Sequence, residues 1–285
     1  MGLSFMARVV PLYFRMGHKY TEAELQAEME RLRTRPEPSP LGPRGVRYRL
    51  EEREKGQVFY LNEDSASGRT LFYVHGGAYW KDFSPFHWRY MKKLMRATDA
   101  ALVVPAYRLA PWGTFRDALD LIVPLYETYR REHPDRKIIL MGDSAGGGLA
   151  LALAREFLAR GLPAPEELIL FSPWVDVVMV NPEVRKLEAA DPWLTLSYRV
   201  PGLCFGDGDD RVNPLHGDLD GIKNVLLITG TRELLYPDAM ALFEKLRQDP
   251  SNELLVGEGM LHVYPLIPLP EAEAATKRVI ERIMR

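Results

Sequence analysis

Gly142-Asp143-Ser144-Ala145-Gly146 fits the pattern G-x-S-x-G, and its surroundings give the serine a chemistry. An apolar run at 138–141 precedes it, and a Leu- and Ala-rich stretch that favours helix follows. A strand turning sharply into a helix would hold Ser144 at the apex of a strained turn, with small neighbours allowing close backbone approach. The hydroxyl would then lie at a helix N-terminus, where unpaired N–H groups and the macrodipole favour developing negative charge. Gly147 and Gly148 extend the small-residue run and ease helix packing. A glycine-rich turn that merely packs tightly has the same pattern, so the partners decide between nucleophile and turn.

A serine hydroxyl is a poor nucleophile until a base takes its proton. Of six histidines, His18, His87 and His133 fall in or beside helical patterns and His216 in an irregular stretch; all four read as surface residues. His262 lies in Gly257-Glu258-Gly259-Met260-Leu261-His262, after the last apolar strand and before the last helix, which makes it the expected base. Its carboxylate partner should follow the run at 225–228, giving the chain order Ser, acid, His. Glu233 comes directly after that strand and is favoured; Asp238, five residues on, would sit in the first turn of a helix, where complementing the dipole is its alternative role.

An acyl-transfer intermediate carries an oxyanion, and donors must already point at it. The N–H of Ala145 is one expected donor; Gly76, Gly77 and Ala78, following a strand directly, could curl to supply the others. His75 would hold that loop in shape without titrating, and Asp143 would support the serine turn from beside it. Tyr79, Trp80, Trp174, Trp193 and Phe205 are the expected substrate-pocket lining.

These side chains must be positioned by a regular frame. Strands are predicted at 45–51 and 57–62, with a turn at 54–56, then at 70–74, 100–105, 137–141, 168–171, 225–228 and 253–256. Helices at 86–97, 115–132, 148–160 and 237–247 separate most of them. Short apolar strands alternating with amphipathic helices imply an α/β architecture, a mainly parallel sheet of about eight strands covered on both faces. In such sheets chemistry gathers beyond the carboxyl ends of the strands. The first 35 residues read as helical, with Phe5, Val9, Leu12 and Tyr13, and then Leu25, Met29 and Leu32, at helical spacing. Four prolines between Arg35 and Pro43 forbid helix there. The expected organisation is a helical cap segment and Pro-rich tether at 1–44, a core at 45–176, an inserted, partly helical cap at 177–222, and the rest of the core at 223–285.

Composition narrows the partners. The formal charge of −2 over 285 residues, with bases and acids interspersed, gives no global attraction to nucleic acid or anionic membrane. A single cysteine, Cys204, excludes an intrachain disulfide framework and a thiolate metal cluster, and reads as a small buried apolar residue. No H-E-x-x-H or similar metal cluster occurs, and serine chemistry needs no cofactor. No stretch approaches the roughly 20 apolar residues of a membrane span. Arg8, Pro11, Arg15 and His18 interrupt the apolar N-terminus, which lacks the features of a signal peptide. Gly2 would suit acylation, but Met6 stands where Ser or Thr is wanted. A cytoplasmic protein without stable membrane association is expected, and an edge strand could pair two copies into a homodimer.

Together these residues resemble the hormone-sensitive-lipase-like carboxylesterase family of the α/β-hydrolase superfamily. Gly142 to Gly147 reproduces its G-D-S-A-G-G elbow, and His75-Gly76-Gly77-Ala78 is similar to its H-G-G-G loop, with Ala78 in place of the third glycine. Tyr107-Arg108-Leu109-Ala110-Pro111 and Ser172-Pro173-Trp174-Val175-Asp176 are similar to two further family segments. Glu233 stands where the family usually has aspartate. The resemblance implies a helical cap over the site and cofactor-free hydrolysis of acyl esters of short to medium chain length. A rival implication is amide hydrolysis, because His75-Gly76-Gly77-Ala78-Tyr79-Trp80 is also similar to the H-G-G-x-W loop of arylformamidases. A non-catalytic ligand-binding relative would have lost the histidine, whereas His262 is present. A peptidase reading has no propeller or gating domain to recommend it.

Overall fold

The computed structural model describes residues 3–285, so the acylation considered at Gly2 lies outside the described residues. Among them eight strands form one sheet: β1 (Arg49–Arg53), β2 (Gly56–Leu61), β3 (Arg69–Val74), β4 (Ala101–Tyr107), β5 (Lys137–Asp143), β6 (Glu167–Phe171), β7 (Val225–Gly230) and β8 (Glu253–Gly257). Their spatial order is β1-β2-β4-β3-β5-β6-β7-β8, antiparallel at β1/β2 and β2/β4 and parallel from β4 to β8. β4 is buried at every position, as the inner strand of a sheet covered on both faces must be. β1 begins four residues later than the 45–51 span predicted and is mostly charged and exposed, which suits an edge strand.

The helices are α1 (Phe5–Arg15), α2 (Glu22–Arg33), α3 (Pro85–Thr98), α4 (Phe115–Glu132), α5 (Ser144–Ala159), α6 (Pro182–Leu187), α7 (Arg199–Gly206), α8 (Tyr236–Leu246) and α9 (Pro270–Met284). On one face of the sheet α4, α5 and α8 bury Leu119, Ile122, Leu149, Leu153 and Leu242; on the other, α3 and α9 bury Met91, Leu94 and Val279. Capping boxes start α2 (Thr21 with Glu24), α3 (Ser84 with His87) and α4 (Thr114 with Asp117). Each such cap contributes about 1 kcal/mol.

The N-terminal segment and the 177–222 stretch pack on each other above the carboxyl ends of the strands. Arg199 Nε pairs with Glu22 at 2.8 Å, Ser197 Oγ donates to the Tyr20 carbonyl at 2.6 Å, and Lys19 Nζ donates to the Asp191 carbonyl at 2.8 Å. The Pro-rich segment is extended, and it is docked along its length. Arg35 O accepts from Trp112 Nε1 at 2.8 Å, Leu41 O accepts from Trp88 Nε1 at 2.7 Å, and Leu41 N donates to Asp82 at 2.6 Å. Cys204 is half-buried rather than enclosed. The helix predicted from Phe5, Val9, Leu12 and Tyr13 is present as α1, yet those four residues face outward. Its buried side is formed instead by Ala7 and Pro11.

Candidate active site

Ser144 is the first residue of α5, directly after β5, and has φ +53°, a left-handed conformation that strains any residue with a Cβ. Close packing holds it there: a Cβ on Gly146 would collide with the carbonyl oxygens of Val74 and His75. The start of α5 therefore lies against the end of β3, which brings the 75–78 loop beside Ser144. The Asp143 side chain does not cap α5, so the first N–H groups of the helix, Ala145 among them, keep the donor capacity that every helix N-terminus has.

Ser144 Oγ donates to His262 Nε2 at 2.8 Å, and His262 Nδ1–H donates to Glu233 Oε2. Glu233 Oε1 accepts from Thr229 Oγ1 at 2.6 Å and from Gly230 N at 2.9 Å. All three side chains are buried, Glu233 completely. Burial alone would raise the Glu233 carboxyl, but His262 and the donors Thr229 and Gly230 outweigh it and hold the group below its ordinary range. The His262 loop is fixed by Val263 N donating to Ser172 Oγ at 3.0 Å. Asp238 does not reach His262; it accepts from Asn181 Nδ2 at 2.9 Å, and burial with Asp176 nearby raises its carboxyl to about 6.

The residues of the 75–78 loop divide. Gly76 N donates to Asp143 Oδ1 at 3.1 Å, so its expected role as a third loop donor is corrected: that N–H is engaged. The N–H groups of Gly77 and Ala78 have no acceptor among the described residues. Ala78 takes φ +52° with its methyl group in place, a conformation glycine would adopt freely. His75 is buried, donates from Nδ1 to the Gly76 carbonyl at 2.7 Å, and stacks on Tyr107. Burial, with His87 nearby, lowers it to about 3, so it stays neutral.

The Asp143 side chain collects three contacts. Besides Gly76 N, it accepts from Tyr73 Oη at 2.9 Å and from His87 Nε2 at 3.1 Å. Burial pushes its carboxyl upward, but His87, Tyr73 and Gly76 together lower it. His87 was expected at the surface and is instead buried. Its Nδ1 accepts from Ser84 N at 2.9 Å, which leaves the proton on Nε2 for Asp143. One histidine thus caps α3 and ties it to the carboxylate that holds Gly76 of the 75–78 loop. The capping box at Ser84 and His87 was the available sequence signal, because a helix N3 position aims its side chain back along the chain.

Of the five expected lining residues, one is set against the His262 ring. Trp193 lies 5.6 Å from the His262 ring, edge to face, and stacks on Phe14 at 4.3 Å. Half-buried Trp80 packs edge-on against Tyr20 at 5.7 Å. The other three are corrected: Tyr79 stacks on Phe205 at 4.3 Å and on Trp174 at 5.6 Å, and all three are buried in the core beneath the loop. Their apolar rings build the floor rather than a wall. Asp191 was not singled out by its sequence: its Oδ1 accepts from Trp193 N at 2.7 Å and Leu194 N at 2.8 Å, and its Oδ2 from Leu234 N at 2.6 Å. The Asp191-Pro192 turn signal marked a bend there, but its distant partner has no local signature.

A mainly parallel sheet with a serine at a strand-to-helix turn, and an acid and a histidine beyond later strands, defines a hydrolase site of the α/β class. The α/β-hydrolase-fold family model matches residues 71–266. The chain is 29% identical over 231 residues to an esterase of Acinetobacter venetianus, covering 78% of this chain and 76% of that one. It is 33% identical over 181 residues to an acetyl-hydrolase of Streptomyces hygroscopicus, covering 61% of this chain and 60% of the relative, less than two thirds of that protein's length. A crystal structure of an esterase from the bacterial hormone-sensitive lipase family superimposes with a TM-score of 0.79 at 24% identity, over 100% of this chain and 99% of that one. The chain belongs to the α/β-hydrolase family.

Proposed function

We propose that this carboxylic ester hydrolase cleaves short- to medium-chain acyl esters by two-step acyl transfer through Ser144, His262 and Glu233. The observation that carries the reading is the continuous hydrogen-bonded line from Ser144 Oγ through both nitrogens of His262 to Glu233. His262 Nε2 accepts the Ser144 proton as Oγ attacks the ester carbonyl, and Glu233 stabilises the imidazolium through Nδ1–H. The oxyanion is held by the N–H groups of Gly77, Ala78 and Ala145, for which no side-chain or loop acceptor is present among the described residues. His262 then protonates the departing alcohol oxygen, and water repeats the sequence on the acyl-enzyme to release the acid. No step calls for a cofactor.

The short-chain preference is supported by the Trp193 ring set against His262 and backed by Phe14, beside a Ser144 that is 9% exposed. Hydrolysis of a p-nitrophenyl ester series from acetate to palmitate, by wild type and Ser144→Ala, tests the reading. A short-chain optimum lost in the variant is expected; a palmitate optimum overturns the chain-length part, and activity retained in the variant overturns the nucleophile. Faster turnover of N-formylkynurenine than of any ester would favour the formamidase alternative.

A further inference from the structure

α1 carries an apolar face that nothing among the described residues covers. Phe5, Leu12, Tyr13 and Met16 are 77%, 57%, 72% and 87% exposed, and Met6 and Val9 lie beside them at 44% and 38%. At 3.6 residues per turn these six share an arc of about 120°. The opposite side buries Ala7 and Pro11 and packs Val10 and Phe14 on the core. Arg8 and Arg15 flank the exposed arc on one edge. From residue 3 to residue 20 there are three cations, Arg8, Arg15 and Lys19, and no acidic residue, whereas the whole chain is formally −2. Apolar surface of this kind on a soluble chain marks an interaction site, and a one-sided apolar helix with basic flanks suits an anionic lipid surface. A second copy of the chain fits less well, because two α1 faces would bring their arginines together with no carboxylate on either helix to neutralise them.

The helix also lies over the site. Phe14, on its covered side, stacks on Trp193, whose ring meets His262. We propose that α1 is a reversible interfacial docking helix, which seats its Phe5, Leu12, Tyr13 and Met16 face in an anionic lipid surface with the cap turned toward that surface. The whole-chain composition, which implied no stable membrane association, averages out this local face. One short helix gives weak, reversible partition rather than anchorage.

Co-sedimentation of the full chain with phosphatidylcholine–phosphatidylglycerol vesicles tests this, beside pure phosphatidylcholine and the variant Leu12→Ser/Tyr13→Ser. Wild type is expected to bind the mixed vesicles about tenfold more than the variant, to bind pure phosphatidylcholine less, and to dissociate in high salt. The altered residues are solvent-facing, so circular dichroism and hydrolysis of a water-soluble ester should be unchanged. Sedimentation does not depend on turnover, so failure of the esterase reading would leave this result standing. Absence of wild-type binding, or equal binding by the variant, overturns the proposal. So does a lipid-free dimer that the variant converts to monomer, which would make the face a contact between copies.

Discussion

Asp191 accepts the backbone N–H of Leu234 at 2.6 Å, and Leu234 is the residue that follows Glu233. A carboxylate from the 177–222 stretch thus grips the loop that carries the proposed catalytic acid. Its other oxygen accepts the N–H of Trp193, the residue whose ring meets His262. Asp191 therefore contacts both the Glu233 loop and the residue packed on His262.

Asp191→Ala would strip three buried N–H groups of their acceptor, at about 1–3 kcal/mol each. Urea unfolding should register a loss of at least about 3 kcal/mol, with kcat/KM down by about tenfold as Glu233 and Trp193 loosen. Asp191→Asn, which keeps one acceptor oxygen, should lie between. An Ala variant with full activity and stability would remove Asp191 from any positioning role.

His87→Ala leaves Asp143 buried with one donor fewer and α3 without its reciprocal cap. The expected loss is about 2 kcal/mol of stability and a fall in kcat with little change in KM, since Asp143 also holds Gly76. Gln can cap at this position and donate an N–H, so His87→Gln should recover much of both. A kcat equally low in the Gln variant would argue for a role of the imidazole itself.

Asp238 has its carboxyl raised to about 6 by burial and the nearby Asp176, against an ordinary value near 3.9. The folded state therefore binds this proton more tightly than the unfolded chain does. Its stabilising contribution is full below about pH 4 and is lost as pH rises through 6. Asp238→Asn, which can still accept from Asn181, should raise stability at pH 8 by about 2 kcal/mol and change little near pH 4. Denaturation at the two pH values decides, and a destabilised variant at pH 8 would contradict the assignment of Asp238 as a non-catalytic, strained carboxylate.

Much of this architecture was legible because it is written locally. Strands β3 to β8 are short apolar runs between turn formers, and the small residues around Ser144 announce a tight strand-to-helix turn. Glu233 could be favoured over Asp238 from its place at the end of β7. What stayed hidden depends on contacts distant in the chain. Asp191 meets Leu234 from within a stretch that has no periodicity, and His87 meets Asp143 across 56 residues. Helical spacing in Phe5, Val9, Leu12 and Tyr13 identified a helix but not which side packs, because periodicity is blind to a second face whose Ala7 and Pro11 are buried. Tyr79, Trp174 and Phe205 illustrate the same ambiguity: aromatic rings near a site are as readily floor as wall.

Glu233→Gln retains the side-chain shape but removes the charge that stabilises a protonated His262. A fall in kcat of about a hundredfold to ten-thousandfold is expected, with KM nearly unchanged. A loss below tenfold would mean that the acid contributes position only.

The claim that Ser144 is a nucleophile activated by His262 is tested most directly by mass spectrometry after treatment with diethyl p-nitrophenyl phosphate. The expected result is one diethylphosphoryl group on the peptide containing Ser144, formed as ester hydrolysis disappears. It should be absent in Ser144→Ala and slowed by at least about a hundredfold in His262→Ala. Stoichiometric labelling at another residue, or undiminished ester hydrolysis by Ser144→Ala, would contradict it.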